Sequence, residues 1–105
     1  MPSRRIALMS VIALAATSVA ASAATIQISM DKLEISPAMA SAKVGDTVEW
    51  INKDALVHTA TARNGDFDVT LPASKTVSSV LKKAGTVEYY CRFHPNMKAT
   101  LKIDP

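Results

Sequence analysis

The stretch Cys91-Arg92-Phe93-His94-Pro95-Asn96-Met97 places a metal donor at every third residue: a thiol, an imidazole and a thioether. A tight loop with that spacing can turn three side chains toward one point. The only other histidine, His58, offers a fourth donor from earlier in the chain. Thiolate, two imidazoles and a weak thioether form the set that suits a copper ion exchanging one electron. Soft sulfur favours Cu(I) and imidazole nitrogen favours Cu(II). A fixed mixture of the two differs little between oxidation states, so little has to move when an electron arrives.

Taken singly, each residue has an ordinary role. Cys91 could be a buried thiol, His58 a satisfied histidine at a strand start, His94 a loop residue and Met97 a core side chain. Taken together, the sole cysteine, both histidines and a methionine stand in the required order. The expected metal ligands are therefore His58, Cys91, His94 and Met97, holding one type 1 copper ion. Zinc could occupy the same place, although a thioether is a poor zinc ligand.

These donors need a scaffold, and the chain after residue 23 reads as strands. Ile26, Ile28 and Met30 alternate with polar residues, and Leu33 and Ile35 continue an alternating pattern until Pro37. Val44-Gly45-Asp46 is turn chemistry. Val48 and Trp50 alternate next, and Asn52-Lys53-Asp54 breaks the run. His58 to Thr61 is β-prone, and Asn64-Gly65-Asp66 closes it. Phe67 and Val69 make a brief strand before Pro72; Thr76 to Leu81 makes another, with ambiguous facing. Val87, Tyr89 and Cys91 share one face, and Ala99, Leu101 and Ile103 share another. No segment here keeps a convincing helical period. About seven short strands separated by turns predict an all-β, antiparallel sandwich built around Trp50.

Arg4-Arg5, an apolar run from Ile6 to about Ala16, and Ala21-Ser22-Ala23 have the order of a secretory signal peptide. That run is shorter than the ~20 residues a spanning helix needs, although an uncleaved anchor would share the pattern. The expected organisation is a cleavable segment, 1–23, and one domain, 24–105, in the periplasm. The whole chain carries a net charge of +3. Residues 24–105 hold ten basic and nine acidic side chains, so most of the basicity belongs to the leader, and nucleic acid is not an expected partner. In an oxidising compartment a lone thiol is a hazard unless it is buried or held by a metal. One cysteine and two histidines exclude multicopper, four-cysteine zinc and multihaem proteins. No carboxylate pair, Ser/His/Asp order or phosphate loop points to an enzyme.

With these residues the chain resembles the cupredoxins, and among them the amicyanins. The resemblance is carried by Val44-Gly45-Asp46-Thr47-Val48-Glu49-Trp50, by Asn52, Asp54 and His58, and by Tyr89-Tyr90-Cys91. It is carried too by the short Pro95-Asn96 gap between His94 and Met97. It implies a Greek-key β-sandwich and a monomeric one-electron carrier. Its partners would be transient, with an amine dehydrogenase as donor and a c-type cytochrome as acceptor. It also implies a buried His58 and an exposed His94 that passes electrons within an apolar collar of Pro37, Met39, Phe93 and Pro95. Many cupredoxins have Asn after the first His ligand; Thr59 stands here, so a weaker tie between the ligand loops is expected. Copper delivery or buffering is the second function these ligands allow. A metal-free adhesion or assembly module is a third.

Overall fold

The computed structural model describes residues 22–105. The expected leader, 1–23, falls almost wholly outside the described residues. Nine strands follow: β1 (Thr25–Asp31), β2 (Glu34–Ser36), β3 (Met39–Lys43), β4 (Thr47–Asn52), β5 (His58–Ala62), β6 (Asp68–Leu71), β7 (Thr76–Val80), β8 (Gly85–Cys91) and β9 (His94–Asp104). They form a four-stranded sheet, β2-β1-β4-β7, and a five-stranded sheet, β3-β9-β8-β5-β6. The chain crosses between sheets five times, which gives the expected Greek-key sandwich. The sheets are mixed rather than purely antiparallel, because β1 pairs in parallel with β4 and β3 with β9. Each parallel pair arises where the chain leaves a sheet and returns to it.

Alternation decides what faces inward. Val48, Trp50 and Asn52 of β4 are buried, as are Val87, Tyr89 and Cys91 of β8. Met97, Ala99, Leu101 and Ile103 of β9, beside β8 in the five-stranded sheet, are buried too. Trp50 sits at the centre, edge-on to Tyr89 at 5.3 Å between ring centroids and 5.8 Å from Phe67. Its Nε1 donates to Ser79 Oγ at 2.8 Å, so the aromatic body is buried without stranding a polar atom. Asp46 anchors the end of the sandwich at the start of β4: its carboxylate accepts the Ala24 N–H at 2.8 Å and the Lys43 N–H at 2.9 Å.

Besides the parallel pairs, three features differ from the sequence reading. The pattern from Ile26 to Ile35 is not one strand but a β1–β2 hairpin turning at Lys32-Leu33, with Met30 opposite Ile35. The apolar positions shift from even to odd numbers across the turn, as a two-residue hairpin requires. Both turn residues are left-handed, with φ of 54° and 62°. That conformation normally calls for Asn-Gly, and Lys-Leu concealed it. Strand β3 was not anticipated, because Met39-Ala-Ser-Ala-Lys43 has almost no apolar alternation; pairing with β9 makes it a strand. Finally, His94 and Met97 lie on β9 rather than in a free loop, so the β8–β9 connection is only Arg92-Phe93.

Candidate metal centre

His58 opens β5, Cys91 closes β8, and His94 and Met97 lie near the start of β9, so the strand order places all of these residues at one end of the five-stranded sheet. Cys91 pairs with His94 across the tight turn, and the register shifts between Tyr90 and Cys91. Such an irregularity re-aims side chains at the end of a ladder. Cys91 Sγ lies 3.7 Å from His58 Nδ1 and 3.8 Å from His94 Nδ1. The three donor atoms all fall within 4.8 Å of one another, and the two imidazoles meet at 76° with centroids 5.2 Å apart. Metal–nitrogen bonds of about 2.0 Å and a metal–sulfur bond of about 2.3 Å, at trigonal angles, would separate N from S by about 3.7 Å. The donor set would therefore fit one small metal ion. Cys91, His58 and Met97 are buried, and His94 is half-buried rather than open.

His58 is braced from behind. Its Nε2 lies 2.7 Å from Asp54 Oδ2. A carboxylate only accepts, so the ring proton sits on Nε2 and the Nδ1 lone pair faces Cys91. Asp54 also accepts the Lys32 N–H at 2.7 Å and the Leu33 N–H at 3.1 Å. One carboxylate thus satisfies the left-handed β1–β2 turn and orients a donor imidazole. The His58 hydrogen bond holds the Asp54 carboxyl below the usual carboxylate range; burial opposes this, and the two backbone N–H groups add to it. Asn52, buried at the end of β4, accepts the Asp54 N–H at 2.9 Å. Its amide NH2 faces the carbonyl oxygens of Leu56, Leu71 and Pro72 at 2.8, 3.1 and 3.2 Å.

Thr59 does tie the ligand segments together. Its N–H points at Cys91 Sγ at 3.4 Å, and its hydroxyl oxygen accepts the Arg92 N–H at 2.9 Å. The hydroxyl therefore reaches the backbone on the far side of the thiol. In the sequence Asn52 and Asp54 read only as strand-breaking residues and as part of a family resemblance; their side-chain contacts are visible only in the fold. The spacing of Asp54 four residues before His58 was the available signal. Leu56 and Val57, exposed immediately before His58, were not expected beside the site.

Fold and site agree with what the chain matches. The cupredoxin-like domain family covers residues 4–103, and the chain belongs to that family. Within it, the chain is similar to amicyanin of Paracoccus denitrificans: 35% identical over 68 residues, 59% of this chain and 52% of the relative. The match thus spans about half the length of that relative. An amicyanin variant solved in its reduced Cu(I) form superposes with a TM-score of 0.65 at 27% identity, covering 76% of this chain and 82% of that one. A purple cupredoxin from Nitrosopumilus maritimus gives 0.65 at 26% identity, covering 75% and 99%. The cofactor of the site is copper: His58, Cys91, His94 and Met97 are arranged as a type 1 centre.

Proposed function

We propose that His58, Cys91, His94 and Met97 ligate one copper ion and that the chain is an amicyanin-like one-electron carrier of the periplasm, released from a leader ending at Ala23. The observation that carries this reading is the pair of Sγ–Nδ1 separations, 3.7 and 3.8 Å, among side chains from three different strands. Bound copper supplies a Cu(I)/Cu(II) couple. The protein's own contribution is to hold the donors still. Cys91 binds as thiolate and accepts the Thr59 N–H. His58 is fixed by Asp54. Met97 keeps its thioether in a buried place where water does not compete.

His94, the least buried of the four ligands, is the route for electrons. Its chain neighbours Phe93 and Pro95 are exposed, as are Leu56 and Val57 just before His58, and Pro37 and Met39. An apolar collar of this kind suits brief, small-area docking by a redox partner, with an amine dehydrogenase as donor and a c-type cytochrome as acceptor. Ser22, Ala23 and Ala24 are exposed ahead of β1, so cleavage after Ala23 leaves the sandwich intact. The chain acts as a carrier rather than a catalyst, and as a monomer.

Adding one equivalent of Cu(II) to the purified chain tests this. An intense visible thiolate-to-copper band and a narrow copper hyperfine splitting in the electron-spin spectrum are expected, and Cys91→Ser loses both. A wild-type spectrum of ordinary tetragonal copper would overturn the ligand assignment. Fast self-exchange with slow loss of copper to a chelator supports the carrier role; rapid loss to the chelator supports copper delivery instead.

A further inference from the structure

The Thr59 hydroxyl does not end at Arg92. Its oxygen also lies 2.9 Å from Thr61 Oγ1, and Thr61 Oγ1 donates to Asp68 Oδ1 at 2.8 Å. Thr61 and Asp68 are direct cross-strand partners between β5 and β6. The same Asp68 oxygen lies 3.5 Å from Arg92 Nε. A chain of contacts therefore leaves the backbone of the residue after Cys91, passes two hydroxyls and reaches a carboxylate on an edge strand. It runs from fully buried Thr59 through half-buried Thr61 to Asp68, whose side chain is 52% exposed.

The proton count fixes its direction. A carboxylate accepts only, and each threonine hydroxyl owns one proton. The Thr61 proton goes to Asp68. The proton between the two threonines must then be that of Thr59. With its proton so placed, Thr59 Oγ1 presents a lone pair to the Arg92 N–H. Remove the carboxylate and both hydroxyls are free to rotate, so the Thr59 proton can turn toward the Arg92 amide and oppose it. Linked hydroxyls of this kind also polarise one another.

We propose that Asp68 is a positioning residue for the Cys91 end of the metal centre, acting through Thr61 and Thr59 on the Arg92 backbone. The guanidinium contact is a separate and weaker matter: at 3.5 Å between half-exposed groups it resembles the surface ion pairs that contribute little. Only the reduction-potential part of the test rests on the copper reading. The rest is measured on the metal-free chain, so failure of one reading is distinguishable from failure of the other.

Hydrogen exchange of the Arg92 amide, followed by NMR in the metal-free protein, is the direct measurement, with the core amide of Leu101 as the gauge of global opening. Thr61→Val and Asp68→Ala should each speed Arg92 exchange by about five- to tenfold, the equivalent of one ordinary hydrogen bond, without changing Leu101. The double variant should be no faster than the faster single, because the contacts act in series. Asp68→Asn, whose carbonyl oxygen still accepts, should restore most of the protection. Arg92→Ala, which keeps the backbone N–H, should leave it unchanged. After copper loading, Thr61→Val and Asp68→Ala should shift the reduction potential in the same direction. Unchanged Arg92 exchange in both single variants, additive effects in the double, or an Asp68→Asn protein as loose as Asp68→Ala would each overturn the proposal.

Discussion

The two segments that deliver imidazoles to the site are built in opposite ways. His58 arrives at the end of a segment pinned by side chains: Asn52 faces three carbonyl groups, of Leu56, of Leu71 at the end of β6 and of Pro72 after it, and Asp54 gathers two turn amides and the ring itself. His94 arrives across a two-residue turn whose side chains, Arg92 and Phe93, are exposed; Arg92 reaches only half-exposed Asp68, at 3.5 Å, and the Phe93 ring, at 6.0 Å. One imidazole is buried in a network of satisfied polar groups, and the other is half-open between exposed Phe93 and Pro95. The division suits a carrier. A braced donor keeps the geometry fixed between oxidation states, and a lightly framed one leaves its ring edge for a partner.

The contrast is easiest to break at Asn52. Asn52→Ala strands buried carbonyl groups and should cost about 2–4 kcal/mol, lowering Tm by about 10–25 °C for a domain of this size. A loss no greater than that of Phe93→Ala would show that the braced segment is not braced. Next comes Asp54→Ala, which frees the His58 ring. Copper affinity should fall about 10- to 100-fold, measured by competition with a chelator, and the electron-spin spectrum should broaden. An unaltered affinity would remove Asp54 from the site. Phe93→Ala should stay within about 0.5 kcal/mol of the parent in stability while slowing self-exchange and partner reduction. Equal rates would leave the collar without a role. Asp46 supplies the smallest effect and a yardstick for Asp54, because it too accepts two backbone N–H groups but touches no imidazole. The Ala24 and Lys43 amides hold its carboxyl below the ordinary value of 3.8. Its contribution is thus present above that value and disappears as pH falls through the lower folded value. Asp46→Asn should reduce thermal stability at neutral pH, and the difference from the parent should vanish in strong acid without any change in the copper spectrum.

Much of this was written in the residue order, for identifiable reasons. Strands β4, β8 and β9 announce themselves because one face packs on the core, so Trp50, Tyr89 and Leu101 recur with period two. The donors are legible because the chain owns a single thiol and two imidazoles, which left few ways to assemble the set. Features held by partners distant in sequence were not legible. Met39–Lys43 is a strand only because β9 lies beside it. Lys32-Leu33 can turn left-handed because Asp54, more than twenty residues later, accepts both amides. Thr59 reads as a weak substitute for asparagine until Thr61 and Asp68 are seen behind it.

If the chain is cut after Ala23 as proposed, the bond between Ala24 N–H and Asp46 acquires a consequence. Peptide cleavage after Ala23 would convert that amide nitrogen into an ammonium group already 2.8 Å from a carboxylate oxygen. A neutral contact would become a charge-assisted one, roughly twice as strong. Trimming would then do more than discard a tag: the trimmed chain would be tighter than its precursor, and the precursor correspondingly easier to keep loose.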